Sequence, residues 1–103
     1  MFFIRPKNLS ADSIILDVRS PEEHQTEELK LPHFKKELSE LNPLEFMREN
    51  NLSSQQTIHI ICASGARASQ AAEKFEKAGF SNVAVIIGGI VEAEYEGLEI
   101  IRH

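Results

Sequence analysis

The sequence predicts an α/β fold in which helices flank a mostly parallel β-sheet. Three apolar, branched runs support this prediction, at residues 13–18, 57–62 and 83–87. Each run has the composition of a strand that is buried on both faces of a parallel sheet. Helical patterns separate the runs, at the spacing expected of crossover connections between parallel strands. The alternation of strands and helices therefore predicts a sandwich with the sheet as its middle layer.

The N-terminal part of the chain predicts a short first strand and the start of a helix. Residues 2–5 form an apolar run that Pro6 ends, because proline cannot donate a hydrogen bond to a neighbouring strand. Farther along, Ser20 can cap a helix, Pro21 fits its first turn, and Glu23 lies three residues past the cap. This capping pattern predicts a short helix directly after the second strand.

The segment from residue 26 to residue 41 has the weakest pattern. Charged residues interrupt its apolar positions, and Pro32 prevents a helix through its middle. Asn42 and Pro43 then have the character of a cap and a first-turn proline. They predict a second helix, which ends at residues 50–51.

The C-terminal half alternates clearly between helix and strand. After the strand at residues 57–62, small and apolar residues recur at helical spacing until Gly79. These residues are Ala68, Ala71, Ala72, Phe75 and Ala78. A glycine pair ends the strand at residues 83–87. Residues 90–96 can form a last short helix, and residues 98–101 a terminal strand or extended tail.

Composition places the chain among ordinary globular proteins. Its 103 residues are 42% hydrophobic and 26% charged, which suits one domain that spans residues 1–103. The net charge of -5 and the lack of a Lys/Arg-rich cluster argue against a nucleic-acid partner. No apolar run approaches the roughly 20 residues that span a bilayer, and the N-terminus lacks a signal-peptide pattern. We therefore expect a cytoplasmic protein with no membrane partner.

Cys62 is the only cysteine of the chain. An internal disulfide and a multi-cysteine zinc site are thereby excluded. The histidines are scattered, without the spacing of a metal site, at His24, His33, His59 and His103. We expect no metal and no cofactor, and we expect any sulfur chemistry at Cys62 to be completed by another molecule.

Cys62 is the candidate nucleophile. It ends a predicted buried strand, at the edge of a parallel sheet where ligands usually bind, and a loop of small residues follows it. The loop amides, the N-terminus of the next helix and Arg67 would all stabilise a thiolate, which lowers the pKa of a cysteine. Gly65 allows the backbone to curl so that its amides form an anion-binding nest. The candidate substrate-binding residues are therefore Ala63, Ser64, Gly65, Ala66 and Arg67.

A lone cysteine more often packs as a small hydrophobic residue than acts in catalysis. Here a strand end, a small-residue loop and an arginine occur together, and this combination favours a catalytic thiolate. Asp17 and Arg19 end an earlier strand and could steer a substrate. A salt bridge that holds the strand end in place is the simpler interpretation, so we treat these two residues as supporting.

Blocks of sequence along most of the chain resemble one known family. The run Ile61–Ser69 resembles the active-site loop of rhodanese domains, in which a cysteine opens the loop and an arginine closes it. Leu16–Glu23 resembles the family's early Asp-Val-Arg-x-Pro-Glu-Glu segment. Lys77–Val83 is similar to its turn after the active-site helix, and Gly88–Ile90 to its closing glycine pair. The blocks occur in the family's order, from about residue 14 to about residue 101.

The resemblance implies a rhodanese-like three-layer sandwich, with a five-stranded, mostly parallel sheet and helices on both faces. It also implies a sulfurtransferase in which Cys62 takes a sulfane sulfur from a donor and holds it as a persulfide. The donor would be thiosulfate or a persulfide, and the acceptor cyanide, a small thiol or a sulfur-accepting protein. Many relatives carry an arginine where this chain has Ala63, so Arg67 is the only cation of the loop. This departure argues against strong thiosulfate binding.

Two other functions fit parts of the pattern. A cysteine phosphatase or arsenate reductase also binds an anion in such a loop, but the loops of those enzymes are longer than the four residues between Cys62 and Arg67. Arsenate reduction also commonly uses a second cysteine, which is absent here. The other alternative is a non-catalytic rhodanese-like docking or regulatory module. Such modules have usually lost the cysteine, whereas this chain keeps Cys62 and Arg67.

Overall fold

The computed structural model describes residues 1–103 and contains a five-stranded sheet and a two-stranded one. In chain order the strands are β1 (Phe2–Ile4), β2 (Ile14–Asp17), β3 (Glu27–Leu29), β4 (Phe34–Lys35), β5 (Ile58–Ile61), β6 (Val83–Ile86) and β7 (Ile100–Arg102). The larger sheet has the order β1-β6-β5-β2-β4, and all of its strand pairs are parallel. Strands β3 and β7 form a separate antiparallel pair. The predicted five-stranded parallel sheet is confirmed.

The helices are α1 (Pro21–Thr26), α2 (Pro43–Glu49), α3 (Ala66–Lys77) and α4 (Gly89–Tyr95), with short 3-10 turns at Pro6–Asn8 and Leu38–Glu40. The predicted caps are confirmed. The side chain of Ser20 accepts from the amide of Glu23, whose carboxylate accepts from the amide of Ser20, so both halves of a capping box are present. Asn42 is the N-cap of α2, and its side-chain oxygen accepts a hydrogen bond of 3.1 Å from the amide of Glu45.

Each face of the sheet has its own hydrophobic core, because successive side chains of a strand point to opposite faces. Leu16 of β2 belongs to the core that is covered by α2 and α3, and this core contains Phe75, the largest fully buried side chain of the protein. Its neighbour Ile15 belongs to the core on the other face, with Ile90 of α4 and Leu29 of β3. Helices therefore cover both faces, as predicted. No helix is long and apolar enough to cross a membrane.

The weakly patterned segment at residues 26–41 contains two strands that local sequence did not predict. Strand β4 is only two residues long and adds to the edge of the main sheet, where Leu16 lies opposite Phe34. Strand β3 pairs with the C-terminal strand β7, with Glu28 opposite Ile101. Both strands depend on partners that are distant in sequence, which is why the local pattern is weak.

Candidate active site

Cys62 follows directly after β5, at the carboxyl edge of the main sheet. Its side chain is buried, with 1% of its surface exposed. Its Sγ accepts hydrogen bonds from the amide of Gly65 at 3.0 Å and from the amide of Ala68 at 3.4 Å. A cysteine that serves only as packing has no need of two amide donors, whereas a thiolate or persulfide is stabilised by them.

The loop curls around Sγ because of the backbone at Gly65. Its φ of +122° lies in a region that residues with a Cβ rarely adopt, and Gly65 is the N-cap of α3. Helix α3 then begins at Ala66 and runs for 12 residues, with its N-terminus toward the sulfur. The partial positive charge of that helix end adds to the two amides in favouring a negative charge at Cys62.

The N-terminus of α4 holds the other side of the loop. The amide of Ile90 donates to the carbonyl oxygen of Cys62 at 2.9 Å, and the amide of Val91 donates to that of Ala63 at 3.4 Å. Gly89 permits this approach, since a Cβ there would lie 2.3 Å from the carbonyl oxygen of Cys62 and 2.5 Å from that of Ala63. The glycine pair recognised in the sequence thus lies against the cysteine loop and fixes its backbone.

Arg67 is engaged by Glu23 of α1 and makes no hydrogen bond to Cys62. Its two terminal nitrogens donate to Oε1 and Oε2 of Glu23 at 2.6 and 2.8 Å. The guanidinium lowers the pKa of Glu23 from 4.5 to about 2, with smaller contributions from the capping bonds of Ser20. In turn, the carboxylate of Glu23 raises the pKa of Arg67. The pair links the first helix to the cysteine loop.

Asp17 and Arg19 form a second ion pair, which is buried. The carboxylate of Asp17 is 0% exposed and Arg19 is 3% exposed, and Nε of Arg19 lies 3.1 Å from both carboxylate oxygens. Arg19 also donates to the carbonyl oxygen of Glu27 at 2.9 Å, and Nε2 of His24 lies 3.1 Å from Oδ2 of Asp17. These contacts tie the end of β2 to α1 and β3. They favour the structural interpretation of the pair.

A pocket of about 190 Å³ opens beside the cysteine loop. Its walls come from α1, the start of β3, the loop and α4: Arg19, Glu23, Thr26, Glu27, Ala63, Ile90 and Val91. Val91 stands at the rim with 70% of its surface exposed. Three larger pockets, of about 430, 440 and 270 Å³, include no residue of the loop at 62–67.

The predicted loop residues take different positions relative to the sulfur. Gly65 contributes an amide to Sγ, Ala63 lines the pocket and Ser64 is exposed. Ala66 is exposed at the first position of α3. The amide of Ala68, just past the predicted range, is the second donor to the sulfur.

Sequence reasoning overlooked two features of the site. Glu23 was recognised only as part of a helix cap, and its partner Arg67 is 44 positions away. The amide of Ile90 was not associated with Cys62 at all. The sequence signals that could have identified them are the second glutamate of the early Pro-Glu-Glu segment and the glycine pair before Ile90.

Comparison with known proteins agrees with this geometry. A family model described as the rhodanese-like domain matches residues 6–95. A rhodanese-related protein from Thermoplasma volcanium is 25% identical, with a TM-score of 0.76 over 98% of each chain. A protein from Bacillus halodurans is also 25% identical, with a TM-score of 0.80 over 98% of this chain and 77% of that one. A rhodanese-like domain protein from Staphylococcus aureus, 24% identical, shares the fold with a TM-score of 0.70 over 96% of this chain and 97% of that one.

A search of curated proteins returned no match. The family model, however, spans most of the chain and includes β2, the cysteine loop and the glycine pair of α4. The structural matches extend over nearly the full length of the chain. The chain therefore belongs to the family of rhodanese-like domains.

Proposed function

We propose that this protein is a sulfurtransferase in which Cys62 carries a sulfane sulfur as a persulfide. The observation that carries the proposal is the pair of amide hydrogen bonds to Sγ, from Gly65 at 3.0 Å and from Ala68 at 3.4 Å. Two backbone donors and a helix N-terminus form a preorganised site for negative charge on sulfur. Membership of the rhodanese-like family supports the same chemistry.

The reaction consists of two displacements at sulfur. In the first, the Cys62 thiolate attacks the outer sulfur of the donor, so that a new S–S bond forms and the donor's S–S bond breaks. The electron pair leaves with the donor remnant, which is sulfite from thiosulfate or a thiolate from a persulfide. In the second, cyanide or an acceptor thiolate attacks the outer sulfur on Cys62, and the electron pair of the broken bond returns to Sγ.

The amides of Gly65 and Ala68 stabilise the negative charge on Sγ in both displacements. Sγ is anionic when it attacks the donor and becomes anionic again when the acceptor removes the sulfur. Donors that already point at Sγ require no reorganisation at either moment. Since sulfur is exchanged as a group between partners, the cycle needs no separate oxidant or reductant.

The position of Arg67 makes a phosphatase a poorer candidate. A cysteine phosphatase needs a cation that can bind the oxygens of the phosphoryl group in the transition state. Here both terminal nitrogens of the loop arginine are bound by Glu23. The pairing therefore agrees with the short loop in favouring sulfur over a tetrahedral oxyanion.

Mass spectrometry of the intact protein tests the proposal. The protein is exposed in turn to thiosulfate and to the persulfide of a small thiol, and then to cyanide or a thiol. We expect a gain of one sulfur that the acceptor removes, and we expect no gain in Cys62→Ser. Ser is close in volume to Cys, so this variant should fold normally, and its urea unfolding midpoint serves as the control.

A sulfur adduct in Cys62→Ser would refute the assignment of the nucleophile. If the wild-type protein takes sulfur from neither donor, the non-catalytic docking module becomes the better interpretation. Thiocyanate formation from cyanide then distinguishes turnover from a single loading event.

A further inference from the structure

The two arginines that lie beside the pocket are both neutralised by carboxylates. Arg67 is held by Glu23 through two hydrogen bonds, and Arg19 is held by Asp17 through contacts of 3.0 to 3.1 Å. The remaining charged wall residue is Glu27, whose carboxylate lies 3.4 Å from Arg102. No unpaired cation therefore faces the pocket at the cysteine loop.

Glu23 is fixed in place from its own helix as well as from the loop. Its Oε1 accepts from the amide of Ser20 at 2.9 Å, and its own amide donates to Oγ of Ser20 at 3.3 Å. The carboxylate keeps its charge at neutral pH, because its pKa lies at about 2. The ion pair is thus fixed by several hydrogen bonds, and both terminal nitrogens of Arg67 donate to Glu23 in the absence of a bound anion.

This charge arrangement disfavours a doubly charged donor. Thiosulfate is a dianion, and the pocket offers it backbone amides but no unpaired side-chain cation. The remaining walls near the loop are apolar, with Ala63 and Ile90 inside the pocket and Val91 at its rim. An alkyl persulfide fits these walls better, because it carries at most one negative charge where thiosulfate carries two, and its alkyl group can contact Val91.

Building on the proposed function, we propose that Glu23 sets the donor class of this site. By pairing with Arg67, it directs Cys62 toward persulfides of thiols and away from thiosulfate. Glu23 is a positioning residue, since it acts through Arg67 and makes no hydrogen bond to Cys62.

The favoured step is a thiol–persulfide exchange. The Cys62 thiolate attacks the outer sulfur of R–S–SH, so that the Cys62 S–S bond forms and the donor S–S bond breaks. The electron pair leaves on sulfur as R–S⁻, which takes the proton from the transferred SH group. The products are the Cys62 persulfide anion and the thiol R–SH, and no external redox partner takes part.

Glu23→Gln tests this proposal. The amide oxygen of Gln can still accept from Ser20 and Arg67, so the loop keeps its position while the charge of Arg67 is no longer balanced. We expect kcat/KM for thiosulfate to rise about tenfold, as for one added favourable charge contact. The value for the persulfide of 2-mercaptoethanol, which carries at most one negative charge, should stay within about twofold.

Two further variants distinguish the loss of the Glu23–Arg67 ion pair from a change in net charge and from the mere substitution of Glu23. Glu22→Gln makes the same change of net charge on the same helix, at an exposed residue, and should leave the kcat/KM values for both donors unchanged. Glu23→Asp keeps the charge and should keep the wild-type preference. The thiosulfate gain in Glu23→Gln should also shrink as salt is added, because salt screens the unbalanced charge of Arg67.

The outcomes separate this proposal from the proposed function. If wild type loads sulfur on Cys62 but Glu23→Gln leaves the ratio of the two kcat/KM values unchanged, the donor proposal is wrong and the sulfurtransferase stands. A wild type that already prefers thiosulfate also overturns the donor proposal. If neither donor loads Cys62 in wild type or variant, the proposed function itself fails.

Discussion

Replacing Gly89 by alanine should damage both the stability of the fold and the cysteine loop. The new Cβ would lie 2.3 Å from the carbonyl oxygen of Cys62, 2.5 Å from that of Ala63 and 2.6 Å from the carbonyl carbon of Ala63. All of these are backbone atoms, so no side-chain rotation can relieve the clash. The start of α4 and the loop must move apart, and the hydrogen bond from Ile90 to Cys62 is strained or lost.

Two effects contribute to the loss of stability in Gly89→Ala. A φ of +60° costs a residue with a Cβ about 1–2 kcal/mol, and overpacking against backbone adds about 1–3 kcal/mol. We therefore expect Gly89→Ala to lower the free energy of unfolding by about 2–5 kcal/mol. Gly97→Ala is the matched control, since Gly97 also has a positive φ, of +96°, but a Cβ there would meet nothing within 4 Å.

Urea unfolding of the two variants measures the difference. With equal m-values, the midpoint of Gly89→Ala should fall well below that of Gly97→Ala, by the equivalent of about 1–3 kcal/mol. The rate of Cys62 alkylation in the folded protein should change only in Gly89→Ala, because only that variant displaces the loop. Equal midpoints in the two variants would refute the argument that Gly89 is required by close backbone approach.

Two other substitutions test the ion pairs. Asp17→Asn leaves Arg19 buried, at 3% exposure, without a counter-charge, and should cost about 3–5 kcal/mol in urea unfolding; a loss below about 1 kcal/mol would show that the pair is dispensable. Arg67→Ala should cost less than about 1 kcal/mol at neutral pH, since the side chains of Arg67 and Glu23 are 36% and 33% exposed. The lowered pKa of Glu23 stabilises the fold above pH 4.5, and this contribution is lost as the pH falls through about 2. Between these pH values the free energy of unfolding should therefore depend less on pH in Arg67→Ala than in wild type. The same pH dependence in both proteins would contradict the assigned pairing.

Most of the secondary structure follows from local sequence. The apolar runs place β2, β5 and β6 to within a residue or two, and the capping patterns at Ser20 and Asn42 place the starts of α1 and α2. These elements are encoded locally, because side-chain periodicity and capping bonds involve neighbours in the chain. The same is true of Gly65, whose positive φ a small-residue loop already indicates.

Strands β3 and β4 could not be predicted in this way. Strand β3 exists because its backbone pairs with β7, with Glu27 opposite Arg102 at the far end of the chain. Strand β4 exists because β2 offers a free edge next to Asp17. A short strand with mixed polarity has little preference of its own, and its partner supplies the hydrogen bonds.

The site, like the fold, is predicted only in part by local sequence. One cysteine after a buried strand, a loop of small residues and an arginine at its end were enough to locate a candidate sulfur site at residues 62–67. The partner of Arg67 is decided by tertiary structure alone, since the packing of α1 against the loop brings Glu23 within 2.6 Å of it. The same holds for Ile90, whose amide reaches Cys62 only because α4 starts against the loop. Sequence records which groups are present, but a charge acts through its distance to other charges, and those distances arise only when segments far apart in the chain pack together.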